Sequence, residues 1–398
     1  MVHLSDRVKN MEESATLAMA AKAREFKEKG VDVISLSLGE PDFKTPKHIQ
    51  EGAKAAIDEN KWFSYPPVNG YLDLRKAIAE KFKNENGLEY TPDQIVVSNG
   101  AKQSIINVML SLINPGDEVI VFSPYWVSYT AAIGLAEGIP VLIKGSLEDD
   151  FKATAQQLKE AITPKTRAII FSSPCNPTGS VFTKEELEKI AEVVLEHEGI
   201  YVMSDEIYEH INYTDAHASI GAVPGMADRT ITINGMAKGF AMTGWRVGYI
   251  GAPTWIAKAC NKIQGQLTSA NCSIAQRATL TALTTDLGPT IEMTKEYRNR
   301  RELVYKLLNE IPGFKTNMPK GAFYFFPDVS SYFGKSVGET TINNASDLCL
   351  YLLENAHVSL VTGEAFGDSN CIRLSYAASE ENLKEAVVRM KAALSKLS

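Results

Sequence analysis

Residues 234–248 read NGMAKGFAMTGWRVG and set Lys238 among small neighbours, directly after the alternating β-branched run 230–233, which predicts a strand. Small neighbours leave room for a ring beside the lysine. A lysine in a dry pocket has a lowered pKa, because loss of water disfavours the charged amine, and a neutral amine can form a Schiff base with a carbonyl. Arg246 adds a cation eight residues later. Together these features favour pyridoxal phosphate as a cofactor, although a solvated loop lysine would give the same local sequence.

The size and composition of the chain are those of a globular enzyme. Its 398 residues suffice for two domains, and 44% of them are hydrophobic and 22% charged. The net charge of -7 argues against a nucleic-acid or anionic-membrane partner. No apolar run approaches the roughly 20 residues of a membrane helix. The N-terminal residues contain several acids and no apolar signal core, so we expect a cytoplasmic protein.

Metal sites and disulfides are not expected. The five cysteines form no CxxC pair, and the six histidines form no HxH or HxxxH pair. Cys175 lies beside the NPTG turn, where a small packing residue is the preferred interpretation over a nucleophile.

The pattern of elements predicts an α/β protein with a second, α+β part. Strands are predicted at 95–98, 119–122, 141–144, 167–171, 200–204, 230–233 and 246–251, and later at 323–326, 358–361 and 371–375. Helices are predicted at 11–29, 105–113, from 183 onward, 255–264, 274–283, 291–308, 347–355 and 380–397. The long helix 291–308 is expected to connect two domains.

Two candidate residues follow the strand at 200–204. Asp205 lies at the carboxyl end of this strand, where ligands bind in α/β sheets. A buried carboxylate needs a partner, and a protonated pyridine nitrogen would be one. Tyr208 could reach the same ring from another edge. An aspartate that caps a helix is the alternative for Asp205 alone.

Other candidates lie at element junctions. Gly100 and Ala101 would expose amides at a helix start, a natural phosphate site. Trp126, at a strand end, either stacks on a planar ring or packs in the core. Asn176, in the NPTG turn, can donate its amide to a phenolate oxygen. Arg373, within an apolar strand, needs an anion, which is either a ligand or a structural partner.

Asn176, Asp205, Tyr208, Lys238, Arg246 and Arg373 occur in the order and near the spacing of the class I aminotransferases, and nearly the whole chain resembles this family of fold type I enzymes. The resemblance implies a large domain, 46–289, with a mostly parallel seven-stranded sheet covered by helices. It implies a smaller α+β domain from 1–45 and 290–398. It also implies a homodimer with shared active sites, in which Tyr65 reaches the partner's cofactor phosphate; loop packing is equally compatible with Tyr65.

The resemblance also assigns roles around pyridoxal phosphate. Lys238 would form the Schiff base and move the α-proton, while Asp205 would keep the ring nitrogen protonated. The remaining roles are hydrogen bonds to the ring oxygen (Asn176, Tyr208), ring stacking (Trp126), phosphate binding (Gly100, Ala101, Arg246) and substrate carboxylate binding (Arg373, assisted by Gly39).

The implied reaction is a ping-pong transfer of an amino group between an amino acid and a 2-oxo acid. Aspartate and glutamate are the preferred candidates for the amino acid. One alternative is a pyridoxal-phosphate-dependent lyase for sulfur amino acids, and another is an aminotransferase that accepts prephenate. A non-enzymatic amino-acid sensor is disfavoured, because such sensors carry an additional DNA-binding segment.

Two departures from the family pattern bear on the site. Gly235 and Ala237 stand where many relatives have serine. Residues 260–276 contain no arginine, so the partner arginine with which one branch binds the distal carboxylate is not expected. Lys102 is our hypothesis for that role, as in a second branch; phosphate contact and a solvated helix start are the competing interpretations.

Overall fold

Helices and strands alternate along most of the chain in its computed structural model, which describes residues 3–9, 11 and 13–398. The helices are α1 Asp6–Lys9, α2 Ala15–Glu28, α3 Lys47–Asp58, α4 Leu72–Asn86, α5 Ala101–Leu112, α6 Ser128–Leu135, α7 Ala155–Ala161, α8 Lys184–Leu195, α9 Thr254–Leu267, α10 Ser273–Thr284, α11 Gly288–Asn309, α12 Ala345–Ala356 and α13 Glu380–Leu394. The strands are β1 Ile34–Ser35, β2 Ile95–Ser98, β3 Glu118–Ser123, β4 Ile139–Lys144, β5 Thr166–Ser172, β6 Tyr201–Asp205, β7 Thr230–Gly235, β8 Gly248–Gly251, β9 Tyr324–Phe325, β10 Ser336–Val337, β11 Thr340–Thr341, β12 Val358–Ser359, β13 Val361–Thr362 and β14 Ile372–Ser375. None of the described helices is both long and apolar enough to cross a membrane.

A seven-stranded sheet organises the middle of the chain. Its order is β2-β8-β7-β6-β5-β3-β4, and β8 alone among these strands runs antiparallel to its neighbours. The inner strands β5, β6 and β7 are rich in isoleucine and valine and are buried on both faces, as expected where helices cover both sides of a parallel sheet. The predicted fold class is confirmed.

The parallel strands bring the predicted site residues to one edge of the sheet. The segments that follow β2, β3, β5, β6 and β7 begin at the same edge, because the carboxyl ends of parallel strands lie together. Gly100, Trp126, Asn176 and Lys238 lie on these segments, and Asp205 is the last residue of β6. The sheet therefore supplies a single place for residues that are 138 positions apart at most.

The N-terminal and C-terminal segments form a second group of strands. β1 pairs with β12, and β13, β14 and β9 form an antiparallel sheet that carries Arg373. Helices α11, α12 and α13 pack against these strands around a separate core that includes Val304, Leu352 and Met390. The predicted domain boundaries remain a prediction.

Two local predictions are wrong. The helix predicted at 11–29 begins at Ala15 rather than at residue 11, because Ser14 has an extended backbone. Residue 12 of the predicted helix lies outside the described residues. Arg246 is not part of a strand. It has a left-handed backbone (φ 56°) after the 3-10 turn Thr243–Trp245, and β8 begins only at Gly248. The chain must reverse there, because β8 runs antiparallel to β7.

Candidate active site

A cavity of about 380 Å³ opens at the carboxyl edge of the large sheet. Its walls contain ten of the twelve predicted site residues: Gly39, Ala101, Lys102, Trp126, Asn176, Asp205, Tyr208, Lys238, Arg246 and Arg373. Gly100 lies directly behind Arg246, whereas Tyr65 lies elsewhere. The tertiary structure thus gathers the candidates from both sheets into one concave site, the usual form of a small-molecule site.

The Lys238 amine faces the cavity and has an unusual acidity. Nζ donates to the carbonyl oxygen of Gly39 at 2.5 Å, and it lies 5.5 Å from the centre of the Tyr208 ring. Burial, and then the nearby Arg373 cation, lower the pKa of Lys238 to about 8. A substantial fraction of these amines is therefore neutral near pH 8, as a nucleophile or a base requires.

The Asp205 carboxylate lies at the end of β6 and is buried. It accepts a hydrogen bond from the Tyr129 hydroxyl at 2.7 Å and one from the amide of Ile207 at 3.3 Å. Burial raises the pKa of Asp205 to about 6, against the hydrogen bond from Tyr129. Within the described residues no cation forms a salt bridge with this acid, so a cationic guest in the cavity would stabilise its charged form.

Arg373 is almost completely buried, yet it meets no carboxylate among the residues that the structure describes. Its Nη1 donates to Asn176 Oδ1 at 3.0 Å and its Nη2 to the carbonyl of Ser37 at 2.5 Å, while Nε has no partner. Burial lowers the pKa of Arg373. A buried guanidinium without a counter-ion is costly, and an anion bound in the cavity would compensate it.

Asn176 and Tyr208 both present donors to the cavity. The Asn176 amide oxygen is occupied by Arg373, and its amide nitrogen donates to no acceptor in the described part of the chain. The Tyr208 hydroxyl lies 2.6 Å from that of Tyr324. Burial raises the pKa of Tyr208, so the phenol stays protonated and can donate.

A second polar corner surrounds the N-terminus of α5. Gly100 has a positive φ of 85°, and a methyl group on it would overlap the Arg246 guanidinium. The backbone amides of Ala101 and Lys102 donate to no acceptor in the described chain, as expected in the first turn of a helix. Free amides at a helix N-terminus beside an arginine are groups that can bind an anion.

Lys102 and Trp126 form the wall next to this corner. The Lys102 amine lies 5.1 Å from the centre of the Trp126 ring and makes no salt bridge within the described residues. Burial of the amine, and then the Arg246 cation, lower the pKa of Lys102. Trp126 is partly exposed to the cavity, so it is not simply a core residue.

Tyr65 is the predicted site residue that the fold does not bring to the cavity of its own chain. Its side chain is 96% exposed, on the loop between α3 and α4. Its predicted contact would be with a partner subunit, so its role stays a prediction.

Packing explains one departure from the family pattern. A methyl group on Gly235 would lie 2.7 Å from the carbonyl oxygen of Val247 and 2.9 Å from the Cα of Gly248. The antiparallel turn into β8 therefore leaves no room for a serine at this position without a local shift.

The cavity residues that escaped the sequence analysis include Tyr129, Ser172 and Tyr324. Tyr129 occupies the first turn of α6, three residues after Trp126, and this spacing is the one local signal for it. Tyr324 lies in the aromatic run 323–326, which reads as core. The buried hydroxyl of Ser172 has no hydrogen-bond partner within the described chain.

Two further groups of side chains could hold a metal ion by geometry alone. They are Glu85 with Glu209 and His210, and Glu206 with Glu209 and His217. The Lys81 ammonium already forms a salt bridge with Glu209. This cation already pairs with the carboxylate that both groups share, so the geometry here favours a salt-bridge network.

Comparisons with known proteins identify the family. The family model "Aminotransferase class I and II" matches residues 31–390. The chain is 50% identical over 400 residues to the bifunctional aspartate aminotransferase and glutamate/aspartate-prephenate aminotransferase of Petunia hybrida, covering 99% of this chain and 83% of that protein. The aspartate aminotransferase from Rhizobium meliloti superposes with a TM-score of 0.96 at 41% identity, over 100% of both chains. That from Thermus thermophilus, solved with maleate, gives 0.93 at 43%, over 99% of this chain and 100% of the other.

Proposed function

The chain belongs to the aminotransferase class I and II family, and on that premise we propose that it transfers an amino group between aspartate or glutamate and a 2-oxo acid. The observation that carries the proposal is one cavity in which Lys238, Asp205 and Arg373 meet. They supply a base of suitable pKa, a buried acid for a cationic ring and an unpaired cation for a carboxylate. Relatives of 41 to 50% identity are aspartate aminotransferases, which supports this substrate class.

Pyridoxal phosphate fits the groups that the cavity presents. The free amides of Ala101 and Lys102 and the Arg246 guanidinium would hold its phosphate. The Asp205 carboxylate, whose pKa burial raises to about 6, would face the protonated ring nitrogen. Trp126 offers an aromatic face to the ring.

The protein's contribution to the chemistry is to move and hold protons. When bound, pyridoxal phosphate supplies an aldehyde carbon and a ring that accepts an electron pair from the substrate α-carbon. Lys238 Nζ would take the proton from the substrate α-carbon and deliver it to the cofactor's aldehyde carbon, because its lowered pKa keeps part of the amine neutral. Asp205 would hold the proton at the ring nitrogen, and Tyr208 and Asn176 would donate hydrogen bonds to the ring oxygen.

Arg373 would orient the substrate through its α-carboxylate. A guanidinium binds a carboxylate through two parallel hydrogen bonds, which fixes position and direction. The backbone amide of Gly39, which donates to no acceptor in the described chain, would assist it. The Asn176 amide oxygen already fixes one edge of the guanidinium, at 3.0 Å.

Lys102 would bind the distal carboxylate of aspartate or glutamate. Its amine lines the cavity, lies over Trp126 and has no carboxylate partner within the described residues. Its proximity to Arg246 supports the competing role, phosphate contact. The dicarboxylate maleate in the Thermus thermophilus relative supports the proposal for this chain.

The variants Lys102→Gln and Lys102→Arg test this role. We expect Lys102→Gln to lower kcat/KM for aspartate about 10-fold and to leave alanine turnover unchanged, because a distal ion pair contributes about 1.4 kcal/mol. Lys102→Arg, which keeps the charge, serves as the control. Equal losses with aspartate and alanine, together with weaker cofactor binding, would assign Lys102 to the phosphate.

We propose a homodimer with shared active sites, in which Tyr65 reaches the partner's phosphate corner. The exposure of Tyr65, and of Phe63 in the same loop, supports such a contact. Mixing Lys238→Ala with Tyr65→Ala subunits tests it. Hybrid dimers regain one complete site if Tyr65 acts across the interface, so activity should rise above that of either parent; no gain would refute sharing.

Two domains, 46–289 and 1–45 with 290–398, are also part of the proposal. The pairing of β1 with β12 and the separate cores of the two parts support this division. Limited proteolysis with and without substrate would test it, since cleavage should concentrate near the two junctions and decrease when substrate joins Arg373 to Lys238.

Prephenate is a second acceptor that one observation favours, because the name of the Petunia hybrida relative of 50% identity includes this substrate.

The main test of the proposed function is an activity assay with a spectrum of the purified protein. Purified protein with pyridoxal phosphate should show a visible absorbance band and convert aspartate and 2-oxoglutarate into oxaloacetate and glutamate, and Lys238→Ala should lose both, unlike the exposed-lysine control Lys262→Ala. A panel of acceptors with prephenate ranks the oxo acids. Release of pyruvate and ammonia without an acceptor would instead indicate a lyase.

A further inference from the structure

Tyr324 is a buried residue of the cavity wall that the roles above leave unused. Its hydroxyl lies 2.6 Å from the hydroxyl of Tyr208. The Arg373 guanidinium lies over its ring, 4.7 Å from the ring centre. Tyr324 therefore contacts both the tyrosine assigned to the cofactor ring oxygen and the arginine assigned to the substrate carboxylate.

The place of the Tyr324 hydroxyl is tightly defined. A methyl group on Gly39 would overlap this hydroxyl, so glycine at position 39 gives it room. The carbonyl of the same Gly39 accepts a hydrogen bond from Lys238. On the other side, Tyr324 belongs to β9 and pairs with Ser375 of β14, the strand that carries Arg373.

A ligand in the cavity would set the direction of the hydrogen bond between the two tyrosines. In the structure either hydroxyl can be the donor, and each is the other's one side-chain partner among the described residues. If a ring oxygen in the cavity accepts the Tyr208 proton, the Tyr208 oxygen is left as the acceptor for the Tyr324 proton. Accepting this hydrogen bond would strengthen the one that Tyr208 donates.

We propose that Tyr324 is a positioning residue that turns the Tyr208 proton toward the cofactor ring oxygen and holds the Arg373 guanidinium flat for the substrate carboxylate. The inference rests on the proposed function, because it assumes that pyridoxal phosphate lies between Tyr208 and Lys238. The proposal assigns two effects to one side chain. The Tyr324 hydroxyl acts on the cofactor through Tyr208, and the Tyr324 ring acts on the substrate through Arg373.

Tyr324→Phe and Tyr324→Leu test the two effects. Tyr324→Phe weakens the donation from Tyr208 to the ring oxygen, so the pKa in a spectrophotometric pH titration of the bound cofactor should rise by roughly half a unit. The KM for aspartate should stay within about two-fold, because the phenyl ring still faces Arg373. Tyr324→Leu removes this face as well, and the KM should rise about 10-fold.

Tyr376→Phe is the matched control. Tyr376 is also buried and its hydroxyl lies 3.1 Å from that of Tyr213, but the pair lies outside the cavity. Its titration should match the wild type. An unshifted Tyr324→Phe titration, or an equal shift in Tyr376→Phe, would overturn the inference alone, whereas wild-type protein without a visible band would overturn the proposed function and the inference with it.

Discussion

The segment 205–210, which begins at the last residue of β6, presents buried polar side chains on two sides. The two sides differ in how far their charges are paired within the described residues. Asp205 and Tyr208 face the cavity, whereas Glu206 and Glu209 face a network behind it. This network, the Lys81 cluster, consists of Lys81, Asn86, Glu206, Glu209 and His217.

In the Lys81 cluster the charges are paired. Lys81 donates to Glu209 and to Asn86, and the Asn86 amide donates to Glu209 at 2.6 Å. His217 lies 2.8 Å from Glu206. Burial alone would raise the pKa of Glu209, but Lys81, His210 and His217, in that order, together outweigh burial, and the pKa falls to about 2. The cluster therefore anchors the segment through charges that compensate one another.

In the cavity the buried charges have no counter-ion among the described residues. Arg373 meets no carboxylate and Asp205 no cation among the described side chains. The comparison teaches how a structural charge differs from a binding charge: both are buried, but only the binding charge lacks a counter-ion among the described residues. Four changes would break or sharpen this contrast.

The largest expected effect on stability is at Lys81. Lys81→Met leaves Glu209 buried without its cation, so the free energy of unfolding should fall by about 3–5 kcal/mol. Thermal unfolding of the apoprotein measures it, and Lys83→Met, an exposed lysine of the same helix, is the control. Adding Glu209→Gln should restore part of the loss; equal melting of the Lys81 and Lys83 variants would contradict the structural role.

Arg373→Met should reduce activity without reducing stability, the opposite of Lys81→Met. We expect kcat/KM for aspartate to fall about 10²–10³-fold, roughly 3–4 kcal/mol, since the substrate carboxylate loses its bidentate partner. The apoprotein should melt no lower than the wild type, because the variant removes a buried charge that has no counter-ion. Arg389→Met, which breaks an ion pair with Asp32 at the surface, is the control for activity. A clear loss of stability in Arg373→Met would erase the contrast.

The pH dependence of stability should have opposite signs on the two sides. The pKa of Asp205 in the folded protein, about 6, exceeds its ordinary value of 3.8, so this acid destabilises the apoprotein above pH 6 and the penalty disappears as the pH falls to about 4. Glu209, with a lowered pKa of about 2 against 4.5, stabilises the fold above pH 4.5 and loses this effect as the pH falls toward 2.

Asp205→Asn tests the first sign. The apoprotein should gain about 2–3 kcal/mol at pH 7 and little at pH 4, as measured by denaturant unfolding at each pH. Glu209→Gln is the counterpart and should lose stability at pH 7. A variant at position 205 that is destabilised at pH 7 would show that the acid is compensated within the chain after all.

The smallest effect is expected at His217. Burial acts against the charged form, but Glu206 raises the pKa of His217 above its ordinary 6.5. The protonated histidine therefore stabilises the fold below pH 6.5, and this contribution is lost as the pH rises through the folded pKa. His217→Gln should cost about 1 kcal/mol at pH 6 and less at pH 9. His197→Gln, at a partly exposed histidine, is the matched control substitution.

The sequence by itself determined the fold class and the position of most candidate residues along the chain. Strand patterns are local, and residues at the carboxyl ends of parallel strands must share an edge, so Asp205 and Lys238 could be expected to lie together before any coordinates. The residue motifs carried the resemblance to the family, and the fold class and family are confirmed. The role of each residue stays a prediction.

Only the tertiary structure decided which polar groups are paired. The partners of Tyr324 and Lys81 lie 116 and 128 positions away, and no periodic pattern encodes such contacts. The left-handed backbone of Arg246 could likewise not be predicted from the sequence, because it depends on the chain reversal between β7 and β8. Local sequence determines whether a segment forms a helix or a strand. Burial and long-range contacts determine whether a charged side chain in that segment is paired within the chain or is free to bind a ligand.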